Sequence, residues 1–315
     1  MTAYILRRLA IAVVVTLGLA VLTFAMLHII APSPGRAILG LKASPQAVAA
    51  FNRAHGYDRP IWDQFVSYLH QLVQGNLGYS YKLNQTVNSL LSENWARSAY
   101  LTGIALFLAV VIAIPLGIFQ AVKRNSIADQ AVTAVAFTAY AMPDNFLGLI
   151  LIGLFAIQLH WFPAEASQSE SIWSNIADIH AMFLPIVTLA STSIASYSRY
   201  MRSSALDALA QDYIRLARAK GLPERSVLRK HLFRNASLAM ITLIGLSIPI
   251  LLGGDVVEEY LFNFHGVGLL FVNELDNQDF PTVIALVLIG GVLTVIGNLV
   301  ADVALSVADP RIRIV

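Results

Sequence analysis

Residues 203–235, SSALDALAQDYIRLARAKGLPERSVLRKHLFRN, form the longest polar and strongly basic segment of a chain that is otherwise mostly apolar. Leu206, Leu209, Tyr213 and Leu216 recur at helical spacing, with Ala208, Ala210, Ala217 and Ala219 among them. Asp212, Arg215 and Arg218 place charge around the same cylinder, so the pattern predicts one amphipathic helix with a face to dock. Gly221 can take the left-handed conformation that ends a helix, and Leu222 supplies the hydrophobic residue after it. Pro223 cannot continue that helix but can open the next. The segment predicts helix, tight glycine stop, second helix.

The flanks decide the class. Of 315 residues, 57% are hydrophobic and 13% charged, with a mean hydropathy of +0.66; a soluble domain carries about 25% charged residues. The balance predicts an all-α integral membrane protein. Uncharged runs near the ~20 residues needed to cross a bilayer lie at 9–30, 98–122, 179–198, 235–254 and 280–301. A sixth candidate, 131–159, is interrupted by Pro143 and Asp144, but 145–164 carries no charge and proline is tolerated in membrane helices. Six transmembrane helices are therefore expected.

Under six spans, Arg7, Arg8, Lys123, Arg124, the nine basic residues of 199–234, Arg311 and Arg313 share one side, 15 of the 21 Lys and Arg. Arg36, Lys42, Arg53, Arg59, Lys82 and Arg97 share the other. The positive-inside rule then makes both termini and the long basic loop cytoplasmic. The lead MTAYILRRL resembles the start of a signal peptide, but the apolar run after it exceeds the ~7–15 residues of a signal core and is expected to stay as an anchor. A net charge of +2, grouped by loop, argues for protein partners and membrane lipid and against nucleic acid.

The organisation expected is a tail and first helix over 1–30, an external segment over 31–97, and a five-helix core over 98–315 that carries the cytoplasmic loop 199–234. Within the external segment, Pro45–His55 and Pro60–Gln74 read as short amphipathic helices around the turn HGYDRP, followed by GNLGYSY as an irregular stretch with aromatic anchors. Segment 160–178 is a shorter external loop. Segment 255–279 is external too and holds Asp255, Glu258, Glu259, Glu274, Asp276 and Asp279 with no Lys or Arg.

Catalytic chemistry is not expected. The sequence has no GxxxxGK[ST] phosphate loop, so the chain should bind no nucleotide cofactor, and no HExxH or GxSxG. It has no cysteine, which excludes disulfides and thiolate metal sites. Its histidines, at 28, 55, 70, 160, 180, 231 and 265, lack ligand spacing, so no metal site is expected. Ser191, Ser193, Ser196 and Ser198 fit hydrogen bonding between membrane helices.

The run DYIRLARAKGLPERSVLRKHLFRNAS resembles the cytoplasmic loop by which permease subunits of ATP-binding-cassette (ABC) importers dock onto their ATPases, in the dipeptide, oligopeptide and nickel branch. The resemblance extends to YILRRL, YDRPIWDQFVSYL, IPLGIFQAVKRNS, AMPDNFLGLILIGLFA, FLPIVTLA, LLGGDVVEEYLFNFHGVG and LVADVALSVADPRIR, and so to nearly the whole chain. Where the broader importer signature has Glu and Ala six and five residues before the glycine, this chain has Arg215 and Leu216, as the peptide branch does.

The resemblance implies a type I ABC importer permease in a prokaryotic inner or plasma membrane. A second permease, two ATPase subunits carrying ATP and Mg, an external substrate-binding protein and a peptide substrate would be its partners. It places coupling on Asp212, Tyr213, Arg215, Ala217, Arg218, Ala219, Lys220 and Gly221. Candidates for the translocation path are Asp144, Asp255, Glu258 and Glu259; Asp144, Asp255 and Glu258 stand where relatives have small or apolar residues. A carboxylate within the bilayer costs roughly 2.5–3.5 kcal/mol on insertion scales, so Asp144 either bonds to a neighbouring span and the backbone freed by Pro143, or lines a wet path and meets a positive group of passing cargo. A nickel importer of the same family and a self-contained secondary transporter are the alternatives.

Overall fold

The computed structural model describes residues 2–30, 34–40, 42–169 and 171–308. In order, the elements are α1 (Thr2–Ile30), α2 (Pro34–Leu39), α3 (Pro45–His55), α4 (Ile61–Val73), strands β1 (Tyr79–Ser80) and β2 (Gln85–Thr86), and α5 (Val87–Val122). Then come α6 (Ile127–Ala141), α7 (Asp144–Leu151) with a π-helical continuation Ile152–Gln158, α8 (Ile172–Ala177) and α9 (Ile179–Leu209). The remainder is α10 (Asp212–Ala219), α11 (Glu224–Ser226) with a π-helical continuation Val227–Leu232, α12 (Phe233–Leu246), α13 (Ile248–Gly253), α14 (Val256–Leu261), α15 (Val267–Asp276) and α16 (Phe280–Ala308).

The core is the pairing of α5 with α9. Leu101, Ala105, Ala109, Ala113, Gly117 and Ala121 recur every fourth residue along α5, and all are buried. With no hydrophobic force between helices inside a bilayer, association rests on close packing, which small side chains permit. The approach is tightest at Gly117, where a Cβ would stand 2.6 Å from Met201 Cβ and 2.7 Å from the Ser198 carbonyl oxygen. Around this pair α16 packs on α1, α12 and α13, while α6 and α7 lie on α9.

Four described helices are long and apolar enough to cross a membrane: α1, α5, α9 and α16. The other two expected spans are broken, each for a backbone reason. The sixth candidate bends by 106° between α6 and α7, because Met142 precedes Pro143 and is driven out of the helical region to φ −84°, ψ 138°. Proline is thus not absorbed there. The run expected at 235–254 divides at Ser247, two residues before Pro249, whose missing N–H interrupts the ladder. Asn235 itself lies inside α12 rather than at its start.

Other boundaries also differ from expectation. Helix α5 begins eleven residues before 98, so the end of the expected external segment is the first part of a span. Helix α9 runs to Leu209 and absorbs the start of the expected cytoplasmic loop. The expectation of an all-α chain gives way to one short antiparallel ladder, Tyr79 opposite Thr86 and Ser80 opposite Gln85. It is held by the buried Ser80, which donates to Asp279; Thr282 donates to the same carboxylate at 2.7 Å. The helices expected at Pro45–His55 and Pro60–Gln74 form at Pro45–His55 and Ile61–Val73. Arg311 and Arg313 lie outside the described residues.

Because the atoms facing Gly117 include backbone, they have little room to yield. Gly117→Val should cost at least the ~1–3 kcal/mol of ordinary overpacking and lower the thermal unfolding midpoint of the purified protein. Gly103→Ala, whose nearest neighbour would be Leu251 Cδ1 at 4.0 Å, should leave the midpoint nearly unchanged.

Candidate functional site

Two groups of residues are candidates for function, and they lie along the same long helix, α9. The first is α10. The predicted continuous stripe Leu206–Leu209–Tyr213–Leu216 is divided between two helices, because Gln211 leaves the helical region (φ −76°, ψ 149°) before Asp212 opens α10. Leu206 and Leu209 belong to α9. In α10 the buried side chains are Ile214 and Ala217, seated with Ala205, Ala208, Val227 and Leu232 in one apolar cluster. Tyr213 and Leu216 face outward, 37% and 57% exposed. The neighbouring face, through Ile214 and Ala217, packs against the chain itself, and Tyr213 and Leu216 of the predicted stripe form an uncovered apolar pair.

The glycine stop forms as expected. Gly221 sits at φ +74°, its N–H bonds the Arg218 carbonyl at 2.9 Å, and the Leu222 N–H bonds the Ala217 carbonyl at 3.3 Å. This is the paired hydrogen-bond pattern that closes a helix on a left-handed residue. Across the turn, Arg218 donates twice to Glu224, at 2.6 and 3.1 Å, and holds that carboxyl below its usual range. Of the eight coupling residues named from the sequence, Ala217 is buried and anchors the helix. Asp212, Tyr213, Arg215, Arg218, Ala219, Lys220 and Gly221 are exposed, with Arg215 reaching back to Asp212 at 3.4 Å.

The second group is acidic. Helices α7 and α14 meet at Gly148, where any Cβ would collide with the Leu261 side chain. One turn back from that contact on each helix, on the same face, stand Asp144 and Glu258. Asp255 caps α14, its Oδ1 accepting from the N–H groups of Val257 and Glu258, both at 3.1 Å. Asp144 and Asp255 are the two charges that bear on Glu258. Glu258 is fully buried, and neither carboxylate oxygen has a hydrogen-bond partner among the described residues. Burial foremost, then Asp255 and Asp144, pushes its carboxyl up to about 8, so it carries a proton at neutral pH. Asp144 lies on the surface of the chain, within reach of the Thr192 hydroxyl of α9.

Glu259 does not join them. Its Oε2 accepts from the Gly268 N–H at 2.7 Å and the Leu269 N–H at 3.2 Å, and the Ser98 hydroxyl, whose oxygen accepts from the Val267 N–H at 2.8 Å, hydrogen-bonds to the same carboxylate. The side chain is fully enclosed, and a Cβ at Gly254, Gly266 or Gly268 would press on it. It holds the start of α15.

Sequence reasoning missed Asp129 and Arg202. Arg202 donates to both Asp129 oxygens, at 2.9 and 2.8 Å, and ties the α5–α6 turn to α9. A signal existed: Ser126 caps α6 by accepting from the Asp129 N–H at 3.2 Å, and Asp129 accepts from the Asn125 N–H at 2.9 Å. The run S-x-x-D is a sequence signature of a helix start, with the carboxylate here reaching Asn125 before the cap and not Ser126 itself.

Comparison with known proteins places the chain as a whole. Residues 113–314 match the family described as "Binding-protein-dependent transport system inner membrane component", and residues 1–102 match the corresponding N-terminal family. The chain is similar to the oligopeptide transport system permease protein AppB of Bacillus subtilis (strain 168), 38% identical over 99% of this chain and 100% of that one. It is also similar to the glutathione transport system permease protein GsiC of Salmonella choleraesuis (strain SC-B67), 34% identical over 98% of each chain. The GsiC of Escherichia coli O6:H1 is 33% identical over 98% of each chain. Full-length similarity to transport permeases, on apolar helices long enough to span, makes this an integral membrane protein that belongs to the peptide family of ABC importer permeases.

Proposed function

We propose that the chain forms one half of the pore of an ATP-driven importer of di- and oligopeptides, and that α10 is the element by which partner ATPases move it. The observation that carries this reading is the shape of α10. It is closed at its C-terminal end by the Gly221 stop, packed on the 227–232 segment with Ile214 and Ala217 in the apolar cluster, and it presents Tyr213 and Leu216 uncovered within a basic surface. A preformed helix with an exposed aromatic and aliphatic pair suits insertion into a partner's groove. The relatives whose names specify oligopeptide and glutathione transport support the substrate class.

In this reading six spans cross the membrane, with α6–α7 and α12–α13 each crossing as a broken pair, and both termini are cytoplasmic. A second permease completes the pore, and an external binding protein delivers cargo. Closure of the ATPases pushes α10, and α9 carries the displacement into the membrane. ATP and Mg reside on the ATPases.

Leu216→Glu should reduce retention of the ATPase subunits on the purified complex by about tenfold, the scale of a central interface residue, while the chain still co-purifies with its partner permease. Undiminished ATPase retention would remove α10 from the interface. Gly221→Val has open space around it, so its effect is backbone strain of about 1–2 kcal/mol; ATP-dependent peptide uptake should fall while capture by the binding protein persists. For orientation, a cysteine placed at Pro60 should react with an impermeant thiol reagent from outside, and cysteines at Asn125 and Lys220 only from inside. Labelling of positions 60 and 220 from one side would refute the arrangement.

A further inference from the structure

The carboxylates brought together by α7 and α14 stand on different footings, and the difference points to a ligand. Asp255 is engaged in capping α14, and Asp144 is exposed on the surface of the chain. An aspartate on a membrane-embedded surface is stable against a partner or a wet cavity and costly against lipid. On the same two helices Phe146, Leu149, Val257 and Tyr260 are also exposed, so the acid stands on elements whose outer surface is otherwise apolar. Glu258 is enclosed behind it with both oxygens unpartnered among the described residues. A buried polar group without a partner costs about 1–3 kcal/mol. Such a group beside two further carboxylates would be relieved by a cation.

Resting on the peptide-importer reading, we propose that Asp144, Asp255 and Glu258 form a subsite for the primary ammonium group of passing cargo, a free peptide amino terminus or a lysine side chain, with Glu258 the member that ionises when the cation enters. The groups facing Glu258 set that behaviour. Its own helix contributes Asp255, α7 contributes Asp144, and α9 contributes the neutral Thr192 hydroxyl against Asp144; from α15 come the amides that hold Glu259 away. With two acids nearby and no water contact, the empty site keeps a proton on Glu258. An arriving ammonium reverses the local potential: the Glu258 O–H proton leaves to solvent, and the resulting carboxylate pairs with the cation. No covalent bond in the cargo changes. An ammonium meets a carboxylate cluster as a compact point charge with three donors.

The test uses the complete importer in proteoliposomes with its binding protein and ATP, and trialanine with a free or an acetylated amino terminus as cargo. The quantity read is the ratio of free to acetylated uptake, compared between wild type and variant so that the binding protein's own preference cancels. Glu258→Gln should lower the ratio about tenfold, the scale of losing one enclosed charge partner, and Asp144→Asn should lower it in the same direction. An unchanged ratio in both variants overturns the subsite. So does equal loss of both cargoes in both variants with assembly intact, since the acids would then serve packing or turnover. Should Glu258→Gln fail to assemble, the surface variant Asp144→Asn decides alone. Absence of uptake of either peptide by the wild-type importer would instead overturn the peptide assignment itself.

Discussion

Close approach of α5 and α9 is the constraint on which the rest depends. Inside a bilayer neither helix gains by hiding apolar surface from water, so the pair holds only if backbones come near enough for dense contact. The fourfold-spaced row from Leu101 to Ala121 provides that along the length of α5, and α9 answers with Met201, Ala205 and Ala208. Everything functional then hangs on α9. Its C-terminal end contributes Ala205 and Ala208 to the cluster that buries Ile214 and Ala217 of α10, its middle faces α7 and Asp144, and Arg202 clamps the α5–α6 turn to it through Asp129.

Around that rigid pair the breaks are placed where geometry must change. Pro143 turns the chain through 106° and delivers Asp144 to the end of α14, and the division at Ser247 lets α12 and α13 lean separately on α16. Tyr197 of α9 and Ser247 share a hydrogen bond at that division. The broken spans are thus the ones that reach the acidic group or its supports, and the unbroken ones form the frame.

The sequence was legible where a single local signal suffices. Long uncharged runs located α1, α5, α9 and α16, and the Gly-Leu-Pro stop after Lys220 took the conformation its residues require. Legibility ended where the deciding partner is distant or the signal points both ways. Pro143 is compatible with a kinked span or a sharp break, and in the broken arrangement α7 packs against α14. Glu258 and Glu259 are adjacent acids with the same local environment in sequence. One meets the amides of Gly268 and Leu269 and the other meets none, a distinction written some ten residues later in the chain. The helix break at Gln211 carried no proline or glycine to announce it, so the stripe through Leu206 and Leu216 looked continuous.

The uninterrupted run of α9 from Thr192 to Leu209 has a mechanical meaning. At about 1.5 Å per residue it is a strut of roughly 25 Å, free of proline, with the proposed docking helix beyond one end and the neighbour of a carboxylate at the other. A tilt of some 10° about its lower end would carry Thr192 sideways by roughly 4 Å, more than the length of a hydrogen bond. Leverage of that size would open or shut the contact with Asp144 without any helix unwinding. The timing of cargo release would then be set by how far the strut leans.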